Sequence, residues 1–130
     1  MEDTHTMERL ERGRILFNAG RYFEAHEVWE EAWLVERTEA RVLLQGLIQV
    51  AAGCLKAGEG NATGCAWLLA AGLEKLEIVA SRYGISGFAS DVADAHARVL
   101  RWKAGDAPDA GPIPALPPVA APPARSAPAR

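Results

Sequence analysis

Proline is missing from the first 107 residues of the chain, and all eight prolines fall between Pro108 and Pro128. A segment without proline keeps every backbone donor, so helices can run through it uninterrupted. The strict alternation of apolar and polar residues that is typical of strands is missing too. We therefore predict an all-α fold, a compact bundle of about five helices in residues 1–104. Residues 105–130, rich in proline and alanine, are predicted to be an extended or disordered tail.

Cysteine is also scarce. The chain has two cysteines, Cys54 and Cys65, and their spacing matches neither a CxxC motif nor a zinc site. Both lie in apolar stretches, which is typical of small core residues in a reducing compartment. The first residues contain no basic segment followed by an apolar one, so we predict no signal peptide. Together these observations predict a cytoplasmic protein.

Long runs of one charge are absent. The formal net charge is −3, and the 14 basic and 17 acidic residues are interspersed. This pattern predicts neither a nucleic-acid surface nor a polybasic membrane patch. The longest apolar stretch, Val42 to Leu55, contains Gln45 and Gln49 and is shorter than the roughly 20 residues that span a bilayer. We expect no nucleic-acid and no membrane partner, which leaves a small molecule, another protein or a homodimer.

Apolar periodicity and glycines predict five helices joined as antiparallel hairpins. Their expected bounds are residues 7–19, residues 22–35, residue 39 to the break at 58–60, residues 62–82 and residues 87–103, with Thr38 and Ser86 as N-caps. Apolar residues cover nearly the whole circumference of the third helix, which predicts that other helices surround it. Gly46 and Gly53 mark an edge of this helix where a neighbour can come close.

The second helix carries the most informative polar residues. At about 100° per residue, His26 and Glu30 lie beside its apolar arc rather than with its other glutamates. They are four residues apart, so their side chains can touch or bind a common third group. Trp33 follows one turn later and would cover the pair. A carboxylate against aromatic rings loses solvation and needs a hydrogen bond, a cation or a proton.

Three interpretations of this pair stay open. In the structural one, Glu30 accepts hydrogen bonds from His26 and from an amide of the third helix. Gln45 and Gln49 would supply that amide, and Trp29 would form a wall of the same pocket. In the second interpretation, His26 and Glu30 bind a divalent metal such as zinc, iron or manganese. In the third, His26 is an acid–base catalyst that Glu30 orients.

The metal interpretation requires further ligands, because three or four are usual in a stable site. His96 on the fifth helix is one candidate, although a histidine on an apolar face is more often a core residue. A symmetric dimer would instead bring two pairs of His26 and Glu30 together.

Three segments of the chain carry a resemblance to a known family: FNAGRYFEAHEVWEEAW, LLQGLIQVAAG and GNATGCAWLLAAGLEKL. They are similar to domain-of-unknown-function family 309, small helical proteins of bacteria and archaea with the signature His-x-x-x-Glu-x-x-Trp/Tyr. Here His26, Glu30 and Trp33 match that signature, and the resemblance covers about Leu16 to Ile85. It implies an all-α bundle and suggests metal binding by the motif, but it implies no reaction.

We therefore expect a small helical protein with a semi-buried site of histidine, glutamate and tryptophan that binds a divalent metal. The alternative is a helical-hairpin interaction module in which the pair of His26 and Glu30 is structural. The sequence shows no recognisable nucleophile–base motif and no glycine-rich phosphate loop. It leaves open whether the protein is an enzyme and which residues would be catalytic.

Overall fold

The computed structural model describes residues 4–121, and within this range it shows five α-helices and no strand. The helices are α1 (Thr4–Asn18), α2 (Tyr22–Val35), α3 (Ala40–Gly58), α4 (Ala62–Val79) and α5 (Ser86–Lys103). The predicted all-α helical bundle is confirmed. The end of the predicted tail, residues 122–130, lies outside the described residues, and the division of the chain at residue 104 stays a prediction.

Side-chain caps were predicted at the start of two helices, with Thr38 for α3 and Ser86 for α5. The prediction for Thr38 is wrong by one residue, since Glu39 occupies the cap position of α3 without a side-chain cap hydrogen bond. The neighbouring Thr38 Oγ1 does accept a hydrogen bond from the Ala40 N–H at 3.2 Å. The prediction for Ser86 is wrong, since α5 already begins at this residue and Ile85 occupies the cap position without a side-chain hydrogen bond. Helix α4 ends at Val79, earlier than predicted, and residues 80–84 form a turn.

The two hairpins, α1–α2 and α3–α4, turn in the same way. Gly20 and Gly60 have positive φ angles of 81° and 77°. The next N–H groups, of Arg21 and Asn61, bond to carbonyls five residues earlier at 2.9 Å in both turns. This is the Schellman arrangement, which favours glycine at the left-handed position. The repeated turn sets both helix pairs antiparallel.

Helices that follow each other along the chain pack together, and α3 with α4 forms the most extensive of these contacts. Glycines make the close approach possible. A Cβ atom on Gly72 would lie 2.8 Å from the Gly46 carbonyl oxygen, and one on Gly53 would lie 3.1 Å from Leu69. The predicted glycine edge of α3 is confirmed, and α4 is the helix that lies against it.

The prediction that other helices surround α3 is wrong for one side of it. Leu43, Leu47, Val50 and Cys54 are buried and face the core. The residues two positions before each of these lie on nearly the opposite side of the helix, because two residues correspond to a rotation of about 200°. They are only half-buried, and we call them the outer face of α3: Arg41, Gln45, Ile48 and Ala52. The packed helices α2 and α4 flank this face and leave it uncovered in a single chain.

By length and composition, α3 is the one helix in residues 4–121 that could cross a membrane. It has 19 residues and a mean hydropathy of 1.2, and half of its apolar window is buried inside the bundle. A buried core helix passes the same test, so the finding is weak evidence for a membrane partner. The expectation of no membrane partner stays a prediction.

Candidate functional site

Trp29 fixes how α2 is rotated in the bundle. Its ring is fully buried, and its Nε1–H donates to the Leu10 carbonyl oxygen of α1 at 3.3 Å. Gly13 of α1 makes room for this ring, since a Cβ atom there would lie 2.1 Å from Trp29 Nε1. The prediction that Trp29 lines a pocket between α2 and α3 is therefore wrong, because it belongs to the core between α1 and α2. With α2 held in this rotation, Trp33 and His26 lie toward α3.

Trp33 is joined to α3 by Arg41, a residue that the sequence did not single out. The Arg41 guanidinium lies 3.8 Å from the centre of the Trp33 ring, which suits a cation–π contact. Its Nη1 also donates to the carbonyl oxygens of Trp33 at 2.9 Å and Glu36 at 3.3 Å. The Trp33 indole nitrogen is buried and has no hydrogen-bond partner among the described residues.

A second unpredicted feature closes the same end of α2. Glu36 is buried, and its carboxylate accepts hydrogen bonds from the Thr6 hydroxyl at 2.5 Å and from the Thr38 hydroxyl and N–H at 2.5 and 3.0 Å. Burial raises the pKa of Glu36, but the hydrogen bonds from Thr38 and Thr6 outweigh it and hold this pKa below its ordinary value. The network ties α1 to the turn between α2 and α3.

His26 is half-buried on the side of α2 that faces α3. Its ring stacks on Phe23, with the two ring centres 6.3 Å apart and the planes 6° from parallel. His26 lies seven residues before Trp33 on α2, and Ile48 of the outer face lies seven residues after Arg41 on α3. Because the two helices are antiparallel and Trp33 contacts Arg41, His26 is level with Ile48. His26 Nδ1 is buried, and no described residue offers it a hydrogen bond.

Glu30 does not share this burial. Its side chain is exposed, and it makes no hydrogen bond or ion pair within residues 4–121. The expectation that Glu30 is enclosed by aromatic rings and accepts from His26 is wrong. Four residues along a helix advance the direction by about 40° beyond a full turn. Because of this rotation, Glu30 lies beyond the side of α2 that α3 covers, and water solvates its carboxylate.

The two predicted glutamines do not support the pair. Gln45 and Gln49 are half-buried on α3, and neither bonds to His26 or Glu30. Gln49 lies between Gly46 and Gly53 in the helical sequence, so it belongs to the side of the outer face nearest α4. Its Oε1 atom is buried without a hydrogen-bond partner in the described part of the chain. His26, Trp33 and Gln49 therefore place three buried, unpartnered polar atoms beside the outer face.

A metal site within one chain does not fit the described residues, because no three His, Cys, Asp or Glu side chains come together there. His96 is half-buried on α5, which packs mainly on α4, so it does not complete a site with His26 and Glu30. Burial and nearby Cys65 raise the pKa of Cys54 to about 12, which keeps this thiol protonated at neutral pH.

Comparison with known proteins agrees with the signature. The model of one family, described as Domain of unknown function (DUF309), matches residues 10–68 of the chain. The match runs from α1 into the first part of α4 and contains His26, Glu30 and Trp33, so the predicted resemblance to this family is confirmed. No curated protein matches the chain.

Proposed function

For this chain, whose resemblance to the DUF309 family leaves its function open, we propose a helical interaction module that pairs with a second copy of itself. The contact surface would be the outer face of α3 together with the neighbouring side of α2. The observation that carries the proposal is the set of three buried polar atoms without a hydrogen-bond partner, His26 Nδ1, Trp33 Nε1 and Gln49 Oε1, beside a half-exposed helix face of mixed polarity.

The apolar part of this surface supports association. Helices that are apolar all round are normally covered on every side. Here Ile48 and Ala52 on the outer face, and Val42 and Leu55 at its margins, stay half-exposed in a single chain. On the adjoining side of α2, the Phe23 side chain is 56% exposed. Each square ångström of apolar surface that a partner covers contributes about 25 cal/mol.

The polar atoms support a partner with defined geometry. A buried donor or acceptor without a partner costs about 1–3 kcal/mol. The bundle therefore tolerates a cost at His26, Trp33 and Gln49. A partner can remove this cost only if these side chains, whose polar atoms are shielded within one chain, turn outward on pairing. Arg98 Nε and Glu39 Oε2 are the other buried atoms without a hydrogen bond in residues 4–121, and Glu39 Oε2 is ion-paired with Arg82.

The chemistry of the surface favours a second copy as the partner. A twofold interface pairs one surface with itself, so that surface must carry both members of every interaction. Trp33 offers a donor and Gln49 an acceptor, while Arg41 and Glu30 provide opposite charges. In a symmetric pair, the donor of each copy can therefore meet the acceptor of the other.

Sedimentation equilibrium tests the proposal. We expect the average mass of the wild-type chain to rise toward twice the monomer mass at concentrations below about 1 mM, where a pairing free energy of about −4 kcal/mol becomes visible. Ile48→Lys should keep the chain monomeric, since it puts a charge into the centre of the contact. Leu100→Lys is the matched control, because Leu100 is an exposed apolar residue of α5. A wild-type chain that stays monomeric over the whole range would contradict the proposal.

A divalent metal held between two copies is the second candidate. His26 has an unpartnered ring nitrogen and Glu30 an unpaired carboxylate, and two such pairs would supply the four ligands that one chain lacks. Zinc, manganese or ferrous iron added to the apo-protein should then strengthen the pairing and be retained at one metal per two chains. His26→Ala should abolish this retention, whereas His96→Ala should not. Equal retention by both variants would refute the metal site but leave the pairing intact.

A further inference from the structure

Residues 110–121, which we call the strap, have neither helix nor strand and yet pack firmly on the bundle. Leu116 is 1% exposed, while Ile113 and Val119 are half-buried against the core. These three apolar residues are spaced three apart, and the residues at 115, 117, 118 and 120 are exposed. A polyproline-II helix has three residues per turn. From Pro112 onward the strap therefore presents one apolar edge to the bundle, in the manner of a proline-rich ligand, whereas Gly111, with a φ of 76°, does not have the polyproline-II conformation.

The bundle holds the strap mainly through the strap's backbone. Asn18 of α1 binds Leu116 twice, because its Nδ2 donates to the Leu116 oxygen at 2.9 Å and its Oδ1 accepts from the Leu116 N–H at 2.8 Å. The Ala120 N–H donates to the Tyr83 oxygen at 3.0 Å. Polyproline-II segments expose unbonded backbone groups, so a side-chain amide facing one residue is a suitable clamp for them.

The other side of the groove is α5. Arg98 Nη2 donates to the Pro112 oxygen at 2.7 Å, and Phe88 of α5 meets Phe17 of α1 with ring centres 6.0 Å apart below the strap. A small apolar cavity of about 20 Å³ remains under Ile113 and is lined in part by Val92. The strap thus fits the groove between α1 and α5 but does not fill it.

The groove contacts would be equally available to a separate peptide. The hydrogen bonds use the carbonyl oxygens of Pro112 and Leu116 and the N–H groups of Leu116 and Ala120. Any residue supplies the carbonyl groups, and any residue except proline supplies the two N–H groups. Side-chain selection is limited to an apolar residue at every third position. The strap joins α5 through exposed residues 103–106, in which Gly105 has a φ of 85°. This connection is a hydrogen-bonded helix end, in which the Asp106 N–H donates to the Arg101 oxygen at 2.8 Å.

We propose that the groove between α1 and α5 is a recognition site for proline-rich peptides in the polyproline-II conformation, with apolar side chains at every third residue. The partner is such a segment of another polypeptide, and the strap is the occupant that closes the site within the chain. A tethered segment competes at a high effective concentration, so the intact chain is the closed form. This inference is independent of the proposed pairing through α3.

The test uses the full chain with a protease site inserted in the exposed turn at residues 106–109. After the folded protein is cut, circular dichroism checks its helices and a labelled peptide of residues 110–121 is added. We expect the labelled peptide to replace the cut strap at one per chain, as fluorescence anisotropy would show, and the uncut chain to bind at least tenfold more weakly. A peptide with Ala115 and Leu116 exchanged has the same composition and should also bind at least tenfold more weakly.

A third peptide identifies the partner. It keeps the three apolar residues and Ala120, whose N–H is bonded, and exchanges proline and alanine at the remaining proline and alanine positions, and we expect it to bind like the native segment. Binding of the native segment alone would assign the groove to the tail of a second copy and overturn the proposal. Loss of the helices on cutting, failure of any peptide to exchange, or equal binding of the exchanged peptide would overturn it as well. Asn18→Ala should weaken binding in the cut protein while the helical signal is kept.

Discussion

Replacing Gly13 with alanine should destabilise the bundle, although alanine normally favours a helix. A Cβ atom at this position would lie 2.1, 2.4 and 2.6 Å from three atoms of the Trp29 indole. Real Cβ contacts lie at about 3.4–4 Å, where two carbon atoms attract each other. The indole has little room to retreat, because it is fully buried, bonds to Leu10 and lies 5.9 Å from the Phe17 ring.

The expected size of the effect follows from two opposing contributions. Overpacking a core costs about 1–3 kcal/mol and occasionally more, and the depth of the overlap at Gly13 favours the upper part of this range. Alanine returns up to about 1 kcal/mol through its helix propensity. We therefore expect the free energy of unfolding to fall by about 2 kcal/mol, as measured by urea denaturation followed by circular dichroism.

Gly87 of α5 provides the matched control. A Cβ atom there has no neighbour within 4 Å, so Gly87→Ala should leave stability unchanged or raise it by up to about 1 kcal/mol. Gly13→Ala with unchanged or increased stability would refute the reasoning. That result would mean that the close contact between α1 and Trp29 does not determine the rotation of α2 or the direction of His26 and Trp33.

Three further outcomes are expected from the described contacts. Glu36→Gln should lower stability by about 1–3 kcal/mol at neutral pH. Since the folded pKa of Glu36 is lowered from its ordinary value of 4.5, its contribution to stability is fully present above that value and is lost as the pH falls through the lowered pKa. The stabilities of the two proteins, measured by urea denaturation, should therefore converge in acid. Leu116→Ala should weaken strap packing by about 2–5 kcal/mol, seen as at least roughly 30-fold faster hydrogen exchange of the residue 116 N–H; unchanged exchange would contradict this. Gln49→Met should stabilise the free chain, because it removes an unpartnered buried acceptor, whereas thermal unfolding of Gln45→Met should show a smaller change.

Features set by one helix were predictable from the sequence. The bounds of α2 and the glycine edge of α3 follow from local periodicity and residue size, and both agree with the structure. The placement of Glu30 was not predictable in the same way. Periodicity gives the direction of Glu30 on α2, but the packing of α3 determines how much of the circumference of α2 is buried.

Contacts between distant residues were beyond such reasoning. Thr6 and Glu36 are 30 positions apart and meet only because α1 and α2 form an antiparallel hairpin. Arg41 lies eight residues after Trp33, across the short turn between α2 and α3, and an arginine shortly after an aromatic residue was the available signal. The spacing of Ile113, Leu116 and Val119 was also visible in the sequence, but the three-residue period that it follows is that of polyproline II rather than of a helix.

The central claim is that a second copy covers the outer face of α3 and meets its unpartnered polar atoms. Proton–nitrogen NMR spectra of the wild-type chain, recorded from dilute to concentrated solution, test it most directly because every tryptophan indole N–H gives its own signal. We predict that the signals of the Trp33 indole and of the Gln49 amide move as concentration rises, while the Trp29 indole, bonded to Leu10 in the core, keeps its position. Signals of Trp33 and Gln49 that stay fixed over the whole range would contradict the claim.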